Sequence, residues 1–300
     1  MSVAAVARWL AAAALLLAAS AAPAARWGAD YFPNVPVQAQ DGRTLRFYDD
    51  VLKGRAVAVN VIYTACKDEC PLETAQLAQV QRLFGERMGR DITFVSITLD
   101  PERDTAPALK AYADKFGVGP GWLFLTGKKA DLQLVIRKLG LSRAGDATAR
   151  DGHAASLMVG DEPSGQWMRN SAVDNPAFLA ATIGNFLGWR ESPIGTADYA
   201  KARPLAIDKG QHLFESRCSA CHSVGGGDRI GPDLAGVTER RERAWVARYI
   251  SAPEKVRAAS DPTAAALAKR FPDVRMPNLG LGTQDVSDLL GFLAKRTAAP

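Results

Sequence analysis

Four cysteines fall in two tight pairs, Cys66/Cys70 and Cys218/Cys221, about half a chain apart. In a chain of 300 residues this distribution describes two local sites rather than a disulfide framework, because a bridge closing so short a loop removes little entropy from the unfolded chain. The second pair reads Cys218-Ser219-Ala220-Cys221-His222, a C-x-x-C-H motif of the kind that attaches a c-type haem. Two thiols on one helical turn reach both vinyl groups of a porphyrin, and the imidazole that follows is then held beneath the iron. The first pair is Cys66-Lys67-Asp68-Glu69-Cys70, a C-x-x-x-C. Its wider bite suits chelation of a soft cation as well as disulfide formation. Pro71 at a first helical position makes Cys70 the N-cap, where the helix dipole favours a thiolate. Lys67 supports that charge while Asp68 and Glu69 oppose it, so the net direction is open.

Alternating strands and helices must position the first pair. Residues 55–63 are a near-continuous apolar run, the pattern of a strand buried on both faces. A loop over 64–70 leads into a helix carrying Leu77, Val80 and Phe84 at i, i+3 and i+7, and a second strand spans 91–99. That βαβ unit predicts parallel strands, and a cysteine pair at its strand-to-helix turn is the thioredoxin-like arrangement. A helix over 105–116, a short strand over 122–125, a helix over 130–139, a hairpin over 155–159 and 166–169, and a helix over 176–187 complete the unit. The expected fold is thus an α/β thioredoxin-like domain, followed by a small all-α domain around the C-x-x-C-H motif.

That second domain has its own frame. A helix begins near Asp208 and carries Gly210 and Phe214 ahead of the motif. A turn segment, Ile230-Gly231-Pro232-Asp233-Leu234, follows it. A charged helix spans 238–251, Met276-Pro277-Asn278 comes next, and a last helix capped by Thr283 places Val286, Leu289, Leu290 and Leu293 on one face. This order resembles a class I cytochrome c domain over 204–298. The resemblance implies a haem c bound covalently by Cys218 and Cys221, with His222 and Met276 as axial ligands. It also implies a Pro232 carbonyl that orients the His222 ring, a contact that fixes ligand basicity. Met/His ligation suits electron transfer rather than oxygen chemistry. The plainer reading of Met276 is a buried gap-filler.

The first domain carries a second resemblance. Thr64-Ala65-Cys66-(x)3-Cys70-Pro71 after one strand, Leu99-Asp100-Pro101-Glu102-Arg103-Asp104-Thr105 after the next, and Asp151-Gly152-His153 before a hairpin strand are together similar to the Sco/SenC family of copper proteins, over 30–189. Lys67 stands where many members carry Pro. The resemblance implies one copper held by Cys66, Cys70 and His153. It further implies a role in maturing the copper centre of cytochrome oxidase, with its copper-bearing subunit as partner, or a thiol-disulfide reductase role in that pathway. Two thiolates and an imidazole suit Cu(I) and tolerate Cu(II), whereas structural zinc wants a fourth protein ligand.

Composition narrows the rest. The chain is 47% hydrophobic and 23% charged with a net charge of +5, which excludes wholesale disorder and gives no sign of nucleic-acid binding. Arg8 precedes an Ala- and Leu-rich run over 9–25, read as a signal peptide over 1–24 that sends the chain to the periplasm. The alternative is an uncleaved N-terminal anchor to the inner membrane. Residues 190–203, with Pro193 and Gly195, read as a linker. Three functions fit these features: a copper-binding redox protein whose haem exchanges electrons with the copper or dithiol site, a thiol-disulfide oxidoreductase cycling Cys66 and Cys70, and a simple electron carrier to a terminal oxidase.

Overall fold

A computed structural model describes residues 27–141, 156–189 and 208–297. The leader segment, the linker over 190–203 and His153 lie outside the described residues. The first part of the chain forms a seven-stranded sheet in the order β2-β1-β5-β4-β3-β6-β7. Its strands are β1 (Pro36–Ala39), β2 (Thr44–Arg46), β3 (Ala56–Ile62), β4 (Thr93–Thr98), β5 (Trp122–Gly127), β6 (Ser156–Asp161) and β7 (Gln166–Ser171). The helices are α1 (Glu69–Phe84), α2 (Ala106–Lys115), α3 (Lys129–Lys138) and α4 (Pro176–Phe186). β3 pairs parallel with β4 and β4 with β5, while β6 and β7 form an antiparallel hairpin beside β3. The predicted βαβ unit is therefore present. The β1–β2 hairpin at the edge, and the π-helical turn Phe47–Leu52 that follows it, were not expected from the sequence. Strands of four and three residues are too short to establish a period.

Period-2 alternation divides β3 between two cores. Val57, Val59 and Val61 face one side with Phe47, Val95, Leu132 and Ile136. Ala58 and Ile62 face the other with Leu77, Val80, Phe84, Phe94 and Leu179. Asn60 shares that second face, so a polar side chain is directed at α1 from the middle of an otherwise apolar strand.

The remaining helices are α5 (Lys209–Leu213), which continues as a π-helical turn Phe214–Cys218, α6 (Val237–Arg240), α7 (Arg243–Ser251), α8 (Pro253–Ala258), α9 (Pro262–Arg270) and α10 (Thr283–Thr297). The single charged helix expected over 238–251 is broken between α6 and α7, where Arg241 is extended. Asp208 caps α5 by accepting from the Gln211 amide at 3.1 Å. Thr283 is the first residue of α10 rather than its cap; Asp285 reaches back to the Gly282 amide at 3.0 Å and does the capping. α5 and α10 cross at Gly210, where a Cβ would collide with the Asp288 carbonyl oxygen and the Phe292 Cβ. Only glycine permits that approach, and Phe214 packs against Phe292 with ring centroids 5.5 Å apart and planes tilted by 36°. Val286, Leu289, Leu290 and Leu293 are all buried in the resulting core, on the predicted face of α10.

Among the described residues, no helix is long and apolar enough to cross a membrane.

Candidate functional site

Strand β3 ends at Ile62 and the chain turns through Thr64–Cys66 into α1. Asp104, buried below that turn, anchors it. Its carboxylate accepts from the Thr64 amide at 3.1 Å, from the Thr64 hydroxyl at 2.5 Å and from the Thr98 hydroxyl at 2.5 Å. The segment after β4 is thus more than a strand-ending turn, because it fixes the backbone two residues before Cys66.

The cap of α1 differs from expectation. Asp68 is the N-cap, so the helix begins at Glu69 and Cys70 lies inside its first turn. The Cys70 amide, one of the free donors of that turn, points at the Cys66 sulfur at 3.4 Å. The charge preference of the helix end is therefore delivered to Cys66 and not to Cys70. A hydrogen bond from the Cys70 thiol, opposed by burial and aided by the amides of Cys70 and Asp68, pulls the Cys66 thiol down to about 5. Donating that bond, together with burial and the repulsion of the Cys66 charge, pushes the Cys70 thiol far up. The pair holds one proton between two sulfurs at neutral pH. Two neighbouring buried sulfurs, one already ionised, form a donor set that fits a soft cation. Among the described residues no third His, Cys, Asp or Glu joins them as a metal cluster.

Glu73 went unnoticed in the sequence. It lies one turn after Cys70 and is 1% exposed, and burial pushes its carboxyl up to about 8, against a lowering hydrogen bond from Asn60. The Asn60 amide donates to it at 3.1 Å, the Ser96 hydroxyl donates to Asn60 at 2.7 Å, and the Trp122 indole donates to Ser96 at 2.9 Å. The second oxygen of Glu73 has no hydrogen-bond partner among the described residues. The signal was available: Glu73 stands at i−4 from Leu77, on the apolar face of α1.

The second pair is held differently. Cys218, His222 and Cys221 lie on consecutive turns, with the Cys221 and His222 amides both bonded to the Cys218 carbonyl at 3.1 and 2.9 Å. Both thiols are driven up by burial, Cys218 to about 12 and Cys221 to about 11. The Nδ1 of His222 meets the Pro232 carbonyl at 2.8 Å, and a Cβ on Gly231 would come within 2.7 Å of the ring. Burial lowers the ring's pKa, which favours the neutral imidazole. Asp233 secures this loop. Burial would raise its carboxyl, but bonds from the Gly225, Ala235 and Gly227 amides and the Ser223 hydroxyl outweigh it and hold it well below the usual range.

A cavity of about 240 Å³ has Cys218, Cys221, His222, Pro232 and Met276 on its walls. The residues present fit a haem c: two thiols in place, an imidazole fixed by its outer nitrogen, a glycine leaving room for the ring, and a thioether bordering the same space. The cavity is not closed by the helical domain alone. Asp68, Pro71 and Leu72, from the loop and first turn that carry Cys66 and Cys70, complete it. Ala220 is buried in the α1 side of the sheet's core, with Cys221 and Ile230 packed against the same cluster. The structure thus brings the segment that carries Cys66 and Cys70 to the wall of the cavity that holds Cys218 and Cys221.

Family models match both parts of the chain, SCO1/SenC over 37–183 and Cytochrome c over 207–297. The chain joins a SCO1/SenC domain to a cytochrome c domain. Protein SenC of Rhodobacter capsulatus is 27% identical over 135 residues, covering 44% of this chain and 60% of that protein. The SCO1 protein homolog of Bacillus subtilis is 34% identical over 92 residues, covering 30% of this chain and 46% of that protein. The match spans about half the length of these curated relatives. Among solved structures, Bradyrhizobium japonicum ScoI with copper bound is 25% identical, with a TM-score of 0.42, covering 51% of this chain and 99% of that one. The SCO1/SenC domain is the mixed sheet with its helices, and the cytochrome c domain is the helical region after it.

Proposed function

We propose that this chain is an exported copper-binding redox protein that serves, as a copper chaperone or thiol reductase, in assembling the copper centre of cytochrome oxidase, and that its haem c exchanges electrons with the Cys66/Cys70 site. The observation that carries the reading is the shared wall: Asp68, Pro71 and Leu72 of the cysteine-bearing segment border the cavity that holds Cys218, Cys221, His222 and Met276. The copper is cargo in this reading, taken by Cys66 and Cys70 with His153 as the third ligand. A bound haem c supplies one-electron transfer, which matches the single-electron step between Cu(I) and Cu(II).

The chain's own residues do the preparatory work. The Cys70 amide and thiol hold Cys66 as a thiolate, so a cuprous ion meets one ready ligand and displaces one proton, from Cys70. Asp104 fixes the turn before Cys66. The Pro232 carbonyl holds His222 with its Nε2 free for iron.

Copper titration of the haem-loaded protein tests this. A thiolate-to-Cu(II) absorption band is expected, and Cys66→Ser or His153→Ala abolishes it; unchanged copper binding in either variant removes the reading. A second reading has its own support, because a low thiol beside a high one is what dithiol exchange needs. Disulfide reduction by copper-free protein would favour it.

A further inference from the structure

The segment that leads into Met276 is irregular, yet it is tied down on both sides. From within its own domain, the Arg257 guanidinium donates to the Met276 carbonyl at 3.0 Å and Asn278 donates to Glu254 at 3.2 Å. From across the domain boundary, the Lys67 carbonyl accepts from the Arg275 amide at 2.6 Å. The Asp68 carboxylate lies 3.7 Å from the Arg275 guanidinium, and Lys115 of α2 pairs with Asp273 at 3.0 Å. The two residues that immediately follow Cys66 therefore grip the residue that immediately precedes Met276. A second small crevice, lined by Thr64, Lys67, Lys115 and Asp273, runs along the same seam.

We propose that Lys67 and Asp68 are positioning residues for the haem: through Arg275 they hold the Met276 segment against the cysteine loop, so that one strap sets the placement of both redox centres. This rests on the reading that Cys218 and Cys221 carry a haem with Met276 on its far side. The ion pairs are half exposed, so each contributes modestly and is screened by salt, and the backbone bond at Lys67 supplies the geometry. Loosening the strap frees Met276 to leave. Reciprocity then requires that whatever moves Lys67 and Asp68, copper or a disulfide included, changes the hold on Met276.

The test uses full-length, copper-free, haem-loaded protein and imidazole as the probe, because imidazole binds ferric haem only after the thioether has moved away. Asp68 makes no side-chain capping bond to α1, so its replacement removes the ion pair without removing a cap. Asp68→Lys is expected to speed imidazole capture about fivefold, the effect of losing one exposed ion pair. The charge-exchanged D68K/R275D variant is expected to return to within about twofold of the wild type, and raised salt to speed the wild type but not D68K. Equal rates in all three proteins overturn the strap. Hydrogen exchange at the Arg275 amide gives a readout free of haem: protected in the wild type, faster in D68K, restored in the double variant. No change there overturns it as well. Absence of a c-type spectrum in wild-type protein would instead defeat the haem assignment, a separate outcome.

Discussion

The two cysteine pairs lie on segments that meet at a domain boundary and could hardly be prepared more differently. At Cys66 and Cys70, a helix end and an internal hydrogen bond drive the thiols apart, one to about 5 and the other far up. At Cys218 and Cys221, burial outweighs the opposing charges of Arg217 and Arg229 and drives both up together, to about 12 and about 11. The place of each pair relative to its helix is the origin. In C-x-x-x-C the first sulfur sits outside the helix and receives its free amide, whereas in Cys218–Cys221 the first cysteine lies in a helical turn and the amides after it go to its carbonyl. The first pair is poised to bind or exchange at neutral pH. The second, both thiols protonated, is inert by comparison.

The largest effect expected from breaking this contrast is all-or-none. Replacing Cys218 and Cys221 together by Ala abolishes covalent haem, read as loss of c-type absorbance, while copper binding at Cys66/Cys70 persists. Loss of both would mean that the two sites are not separately built.

Next comes a pH effect confined to the first site. Glu73 keeps its proton in the folded state up to about 8, while an unfolded carboxyl loses it near 4.5, so the native state binds more protons in between and stability falls as pH rises through that window. Glu73→Gln removes the penalty, by up to about 5 kcal/mol at pH 8 relative to pH 4. Cys66 has the opposite sign. Its folded value is depressed from 9 to about 5, so the stability it adds is fully present above 9 and is lost as pH falls through 5. The wild-type profile from denaturant unfolding should therefore be flatter than that of E73Q, which rises with pH, or of Cys66→Ser, which falls. Identical profiles in all three would refute the assignment.

A packing change should act on the other site alone. Gly210→Ala forces α5 and α10 apart and is expected to cost about 2–3 kcal/mol, seen as earlier thermal loss of the haem spectrum with the SCO1/SenC domain's unfolding unchanged. The smallest effect is chemical. In haem-free protein at pH 7, iodoacetamide should alkylate Cys66 about twentyfold faster than Cys221 and about seventyfold faster than Cys218, once the lower nucleophilicity of the low-pKa thiolate is set against its greater abundance.

Much of this was readable from residue order. The run over 55–63 and the spacing of Leu77, Val80 and Phe84 carried enough period to reveal β3 and α1, and Val286 to Leu293 did the same for α10. Asp208 caps α5, the Pro232 carbonyl meets the His222 ring, and Met276 borders the same cavity. What stayed hidden depended on neighbours distant in sequence. Whether Asp68 or Cys70 caps α1 decides which thiol ionises, and Pro71 is compatible with either. Glu73 acquires its raised pKa from burial under β3, against the opposing bond from Asn60, and the Arg275 grip on Lys67 joins residues more than two hundred positions apart.

The most direct test of the central claim is stopped-flow reduction of haem-loaded protein with copper bound at Cys66/Cys70, following the haem and the thiolate–copper band together. The account requires the two signals to equilibrate at a rate independent of protein concentration, and the copper band to lose that phase in Cys218→Ala/Cys221→Ala. Exchange that scales with concentration, or a copper band indifferent to the state of the haem, would contradict it.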